Sequence, residues 1–526
     1  MEKRKDIIFI IIACISIIIF SIAICPVQLQ NDTFYTIKIG EFISQNGIDG
    51  IKAGLDPFSW HESLPYTFPH WAYDFIIYNI FNLSGFLGIQ ISTIILACIL
   101  GLSIFGVNAK ITKNKLTSFV ITIGAMYLIR NYIAARAQLV TFILFIWTIY
   151  FIEKYLETSK KKYGIGLIII SILIANIHSA VWPFFFVLFL PYIAEYIISN
   201  FSIAKNWYIK RLKRKLKKSK NKEELQEKIS RLENHKKEPY KIIVEKNKNV
   251  KWLILIMVIC AFTGLLTPIG DMPYTYVIKI AQGNTTKIIS EHLPLTLVDF
   301  HEFAVLLVIF FAILIFTDSK IKLRDLFMFS GLLVLAFITR RQISMFVLIC
   351  SLVFNRLVCD LFDKYDSNGT KQMIKYITTL LGSIITIGII LIISCSIVKP
   401  KLSQKYISEK NYPVKAVDYI TENIDISNMH IYNGYDYGSY LIYRGIPVFI
   451  DSRSDLYTPQ FNNGKDIFSD LINISGIATY YEDKFEDYGI THLLIKKNSK
   501  LNLLISRDDK YDLLYSDDYF CLYKRN

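Results

Sequence analysis

The residues in this sequence best placed to do chemistry are charged side chains that stand beside long apolar stretches. Asp32 lies seven residues beyond the uncharged stretch Ile7–Cys25. A carboxylate at a membrane surface can take a proton from a hydroxyl, orient it, or hold a divalent cation such as Mg or Mn. The same residue also reads as a helix N-cap, because Thr33–Phe42 has the pattern of a helix. Arg130 and Arg136 flank one short polar junction, and Arg340-Arg341 form another. Charge at membrane depth is costly, so it marks an ion, substrate or headgroup site, or else it snorkels to the interface. A guanidinium holds a phosphate through two parallel hydrogen bonds. Four of them on one face suit a lipid-linked phosphate or pyrophosphate.

Further candidates sit in the polar segments between apolar runs. The first, residues 26–85, is too long for a simple connector. It carries Lys38, Gly40-Glu41, Asp56-Pro57-Phe58-Ser59-Trp60, His70-Trp71 and Asp74. Asn176 and His178 end an apolar run, where a lone histidine is more often packed than catalytic. Glu291-His292 in segment 269–301 offers an acid–base group or a ligand. Near the C-terminus, Asn433–Tyr440 is a glycine- and aromatic-rich turn, followed by Arg444 and then Asp451-Ser452-Arg453-Ser454-Asp455. The eight cysteines form no CxxC pair and lie mostly in apolar stretches, the pattern of small packed side chains. There is no P-loop, dinucleotide fingerprint, HExxH or GxSxG, which argues against an ATP-driven pump carrying its own nucleotide domain.

These residues need a scaffold, and the composition indicates lipid as its solvent. The 526 residues are 53% hydrophobic and only 20% charged, against about 25% charged in soluble domains. Mean hydropathy is +0.37. Eleven apolar segments read as membrane spans, near 7–25, 86–107, 116–133, 138–154, 164–177, 181–199, 252–268, 302–317, 326–339, 342–358 and 374–398. The first has no small-x-small cleavage site after it, so it reads as a retained helix rather than a signal peptide.

With a cytoplasmic N-terminus, alternate loops at 108–115, 153–162, 205–251, 318–324 and 355–375 fall inside, and four of these are clearly basic. The segments 26–85 and 269–301, both arginine junctions and the tail from Lys399 then lie outside. The net charge of +15 is concentrated in residues 205–251, which hold 18 Lys/Arg against 6 Asp/Glu. A cytoplasmic insertion over 200–251, lying on anionic lipid headgroups, accounts for that charge. The run has no base-reading motif, so nucleic acid is not the expected partner. Regularly spaced Leu212, Leu216, Leu225, Ile229 and Leu232 make part of it helical.

The tail reads differently. A helix is expected over Pro413–Asn423, strands at Met429–Tyr432, Pro447–Asp451 and His492–Lys497, and helices at 463–474 and 476–487. A hairpin is expected to join Tyr511–Tyr515 to Tyr519–Tyr523. The expected architecture is therefore a polytopic α-helical membrane domain over 1–398, with a small extracytoplasmic α/β domain over 399–526.

In order, these motifs resemble a bacterial membrane protein family related to the GT-C glycosyltransferases, which use polyprenyl-phosphate-linked sugars. The resemblance is carried by Asp32-Thr33-Phe34-Tyr35 with Gly40-Glu41, by Asp56–Ser59, and by Trp71 through Asp74. It continues in Arg136-Ala137-Gln138, Asn176-Ile177-His178, Ser290-Glu291, and Arg444 through Asp451 and Arg453. Departures occur at Thr36, where His is usual, at Asp74, where Glu is usual, and at Ser179, where Gly is usual. The resemblance implies a GT-C-like fold in the cell membrane, with Asp32 as general base or metal-linked acid, supported by Asp74 and Glu291. It implies that Arg130, Arg136, Arg340 and Arg341 hold the lipid phosphate and that the spans form a groove for the membrane lipid's polyprenyl tail. An acceptor hydroxyl would attack the anomeric carbon as the lipid phosphate departs. A lipid-linked saccharide transporter or polymerase would also need outer arginines, although a transporter predicts internal repeats and none is found. A non-catalytic envelope assembly protein would instead work through its outer domain.

Overall fold

Within hydrocarbon a chain must satisfy its own backbone hydrogen bonds, and the apolar runs of this sequence do so as helices. The computed structural model describes residues 2–216, 222–234, 241–283, 285–462 and 464–526. All eleven apolar segments are helical. Among the described residues, however, only six helices are long and apolar enough to cross a membrane: Lys3–Ile24, Trp71–Thr112, Ala137–Thr158, Ser179–Asn200, Arg340–Tyr365 and Leu380–Lys401. The expected count of eleven spans is corrected on this point. Helices Lys115–Leu128, Lys161–Ile177, Val250–Phe262, His301–Phe316 and Leu323–Ile338 have 13 to 17 residues. At 1.5 Å per residue they fall short of the roughly 30 Å of hydrocarbon that a perpendicular span must cover. The protein is a helical membrane protein with a small C-terminal sheet. Helix Leu380–Val398 leaves Leu381, Ile384, Ile385 and Ile392 exposed along its length, as a lipid-facing surface would.

The long helix Trp71–Thr112 is broken at Gly85, whose φ of 60° and ψ of −150° lie outside the helical region. Only glycine takes that conformation without a Cβ penalty. The break separates a first half belonging to the 26–85 segment from the apolar half that follows.

The two ends of the helix bundle differ chemically. At one end the loops expected to be cytoplasmic come together. Lys115 pairs with Asp6, and Asn247 donates to the Leu156 carbonyl at 3.0 Å. Arg324 binds Glu195 at 3.0 Å and Glu245 at 2.8 Å, while Arg356 binds Glu153 at 2.7 Å and Asp325 at 2.6 Å. Each charge in this network has an opposite partner. The basic insertion contributes helices Leu190–Leu216 and Lys222–Asn234, joined by a small cluster of Ile209, Leu212 and Ile229 with Leu216 and Leu225. Residues 217–221 and 235–240 of the expected insertion and the Leu232 side chain lie outside the described residues.

The other end carries the tail. Lys401 closes the bundle there by donating to the Ala23 and Cys25 carbonyls at 2.8 Å each, which ties the last long helix to the end of the first. The tail's four strands are β1 (Ile431–Asn433), β2 (His492–Lys496), β3 (Tyr511–Ser516) and β4 (Phe520–Arg525), in the order β1-β2-β4-β3. The β1–β2 pair is parallel, and the β3–β4 hairpin has the expected register class, antiparallel. Helices Val414–Asn423, Ile467–Gly476 and Tyr481–Asp487 fall close to their expected positions.

Two expectations in the tail are corrected. Pro447–Asp451 is not a strand of the sheet; its one bridge joins Val448 to Ser59 of the 26–85 segment. Asn433–Tyr440 is not a turn, because Tyr435–Tyr443 forms a helix. Gly438 suits that helix because a Cβ there would collide with the Ile450 carbonyl oxygen.

The Asp56–His61 segment is built into the tail. Ser59 Oγ donates to the Val448 carbonyl at 3.0 Å, Trp60 Nε1 to the Ile431 carbonyl at 3.0 Å, and His61 Nε2 lies 2.9 Å from the Phe449 carbonyl. His61 sits among Trp60, Phe449, Tyr457 and Tyr488. Burial in this cage pushes its pKa down to about 4, with Lys465 and His430 adding to the effect against the Phe449 hydrogen bond. The folded protein therefore disfavours protonation of a ring that titrates near 6.5 when unfolded. Stability from this group is complete above pH 6.5 and is lost as pH falls toward 4, by about 3 kcal/mol at the limit. Thermal melts at pH 7, 5.5 and 4 should show that loss, and His61→Gln should flatten the pH dependence over the same window.

Candidate functional site

Two junctions between helices bring the four arginines to one place. Arg136 occupies the N-cap position of helix Ala137–Thr158, and Arg340-Arg341 form the turn that leads into helix Ile343–Tyr365. Arg130, Arg136, Arg340 and Arg341 all line one cavity of about 460 Å³, together with Ser290 and Glu291. Helix N-termini add positive potential to a site that is already cationic.

Arg136 is its centre. Its guanidinium binds Asp32 at 2.7 Å and Glu291 at 3.4 Å. Burial opposes charge on Arg136, but Asp32 and Glu291 push its pKa above the usual value. Burial would likewise raise Glu291, yet Arg136 and Arg341 hold its carboxyl below the ordinary range. Asp32 is not a helix cap. Gln30 takes the N-cap position of helix Asn31–Ala53, no side chain caps that helix end, and Asp32 lies in its first turn.

The remaining arginines differ in how they are occupied. Arg130 binds Glu302 at 3.2 Å, donates to the Tyr127 carbonyl at 2.8 Å, and lies 4.0 Å from the Tyr127 ring centroid. Arg340 donates to the Pro294 carbonyl at 3.2 Å and meets Asp299 at 3.5 Å. Among the described residues the Arg341 guanidinium has no hydrogen bond and no ion pair. Its charge is felt by neighbouring imidazoles. Burial first, then Arg341, pushes His292 down to about 4, and burial with Arg341 and Arg136 pushes His70 down to about 3. These histidines are neutral at neutral pH.

A second cavity of about 520 Å³ shares Arg130, Arg136, Gln30 and Asn131 with the first. Its wall is rich in amides: Gln28, Gln30, Asn31, Asn131, Gln404 and Asn411. The side-chain oxygens of Gln30 and Asn31 are buried without a hydrogen-bond partner, as is Arg136 Nε. Unsatisfied buried polar groups are scarce in folded proteins, and a ligand is one explanation for them. The amides escaped the sequence reading, although the run Gln28-Leu29-Gln30-Asn31 directly before Asp32 was a visible signal.

Other expected site residues lie elsewhere. Asp74 is fully buried beside Thr36, where Gly40 of helix Asn31–Ala53 meets helix Trp71–Thr112, and it lines neither cavity. Thr36 and Asp74, two of the departures noted above, are therefore neighbours. Lys38 pairs with Glu41 on its own helix. Trp71 is half-buried against the cluster that contains Tyr35 and Phe68. His178 is buried, with Nδ1 3.0 Å from Thr141 Oγ1 and its ring 4.8 Å from that of His70.

Asp56, Asp451 and Arg453 form a buried ion network of their own. Arg453 binds Asp56 at 2.6 Å and Asp451 at 2.6 Å, while Tyr457 donates to Asp451 at 2.5 Å. This network joins the 26–85 segment to the tail and lies outside the arginine cavity. Among the described residues no three His, Cys, Asp or Glu side chains converge as metal ligands. Four guanidiniums oppose a divalent cation in the cavity, so the Mg or Mn expectation does not fit this charge.

No family model matches the sequence, and no curated protein matches it either. The site has to be read from its own residues.

Proposed function

We propose that this protein is a membrane glycosyltransferase that moves a sugar from a polyprenyl-phosphate donor to an envelope acceptor. The observation supporting this reading is the position of Arg136. It stands on the wall shared by an arginine-lined cavity and an amide-lined cavity, and it carries two carboxylates. Guanidiniums suit a phosphate, and amides suit the hydroxyls of a sugar, so a sugar phosphate lying across Arg136 meets both.

In this reading Arg341, which has no ion pair among the described residues, receives the phosphate first. The phosphate then competes with Asp32 and Glu291 for Arg136. A carboxylate freed from its guanidinium becomes a better base. The acceptor oxygen attacks the anomeric carbon, Asp32 takes its proton, and the C–O bond to phosphate breaks with the electron pair leaving on the phosphate. The arginines stabilise the charge that develops there. The reading places this end of the bundle and the tail outside the cell membrane, the N-terminus in the cytoplasm, and the 205–251 segment on anionic headgroups.

The test uses the full chain in nanodiscs with a radiolabelled polyprenyl-phosphate sugar, following release of polyprenyl phosphate. Asp32→Asn should slow release about 100-fold, within the range seen for loss of a general base, while leaving the melting temperature close to that of the wild type. Wild-type turnover by the Asn variant would remove Asp32 from the chemistry.

A further inference from the structure

A third cavity, of about 440 Å³, lies between the tail and the Ile288–Ser290 segment of the membrane domain. It opens at the C-terminal ends of the parallel strands β1 and β2. Ligands of α/β sheets gather at such ends because the loops there are free to diverge around them. The cavity is lined by the aromatic residues Tyr432, Tyr435, Tyr437 and Phe468, with Asp436 and Lys496 among its polar residues. Asp436 and Lys496 are exposed and paired at 2.9 Å. The Tyr432 side chain is only 2% exposed, and its hydroxyl is buried with no hydrogen-bond partner.

Two connections join this cavity to the acids on Arg136. Ser290, which precedes Glu291, lines both this cavity and the arginine cavity. Asn31, which precedes Asp32, donates to the Tyr435 carbonyl at 2.9 Å. An occupant of the aromatic cavity is therefore held beside the residues next to both carboxylates.

We infer that this cavity binds a pyranose unit of a glycan and presents its hydroxyl to the Asp32–Arg136–Glu291 group as the acceptor. A pyranose has apolar C–H faces that rest on aromatic rings and a hydroxyl edge that hydrogen-bonds to charged and hydroxyl side chains, so it matches a cavity lined both by rings and by Asp436, Lys496 and Tyr432. The acceptor role rests on the proposed transferase reading. The binding of a saccharide does not.

The experiment measures saturation-transfer NMR on the full chain in nanodiscs, which avoids sugar-bearing detergents, with cellobiose and chitobiose as saccharide probes and p-cresol as an apolar one. At least one disaccharide should receive saturation. That signal should fall at least tenfold in Tyr435→Ala and weaken in Asp436→Asn and Lys496→Met, two exposed positions where folding is not at stake. It should persist in Arg136→Met, which separates this site from the transferase centre. Wild-type transferase activity in tail variants that have lost the saccharide signal would remove the acceptor role and leave the binding site. Absence of signal from both disaccharides, signal that all three tail variants leave unchanged, or signal from p-cresol alone would each overturn the inference.

Discussion

Arg453→Met is expected to destabilise the protein by about 3–5 kcal/mol, the cost of breaking a buried ion pair from one side. The Arg453 side chain is 4% exposed and both its carboxylate partners are fully covered. Removing the guanidinium leaves Asp56 and Asp451 facing each other without solvent or counter-charge. Arg453→Lys should recover little, because one ammonium cannot reproduce the fork that gives Nε and Nη2 to Asp451 and Nη1 to Asp56. Thermal melts of the full chain, with limited proteolysis of the tail, measure the loss. Adding Asp56→Asn and Asp451→Asn to Arg453→Met should restore part of it by removing the orphaned charges. A wild-type melting temperature for Arg453→Met would show that the network contributes no stability.

Under the proposed transferase reading, Arg136→Met carries the largest expected effect on activity, a loss of about 1,000-fold in donor turnover. Two contributions add. The leaving phosphate loses the guanidinium that bridges the two cavities, and Asp32 and Glu291 lose their shared counter-charge. Glu291, now held low chiefly by Arg136 against its own burial, should rise in pKa in this variant. The pH–rate profile of the residual activity should shift its acidic limb upward. A merely structural arginine would lower the folded fraction and leave the profile where it was. Arg341→Met, which breaks no ion pair among the described residues, should instead weaken donor binding with less change in turnover of bound donor.

How far the sequence reveals this site depends on the physical signal each residue carries. Charge beside a long apolar run is conspicuous, so Arg130, Arg136, Arg340 and Arg341 could be assigned to one face, and the structure gathers them around one cavity. The apolar runs were equally visible as helices. Their lengths were not, because hydropathy reports side chains while capping decides where a helix stops. Helix Lys115–Leu128 shows this: the expected span ran on to 133, but the chain turns at Arg130–Tyr132.

The helix at Tyr435–Tyr443 was hidden because Gly434 and Gly438 read as turn residues, and the need for glycine at 438 arises from the Ile450–Asp451 backbone and Asn433, which pack against it in the fold. Asp56, Asp451 and Arg453 were each visible as candidates. Their shared role was not, since it joins residues 397 positions apart. The amide cavity went unread because asparagine and glutamine in polar segments are ordinary until they are seen to converge.

The bridge between Ser59 and Val448 has a consequence for biogenesis. Ser59 and Val448 are separated by 389 positions, so the segment that packs on the tail leaves the ribosome long before its partner exists. Closing so long a loop carries an entropy cost and delays the contact. During synthesis Trp60 and His61 would lack their aromatic cage until the last quarter of the chain has folded around them. The tail thus completes the working face, and chains that terminate before Val448 should be recognised by quality-control proteases as unfinished even when every membrane helix is in place.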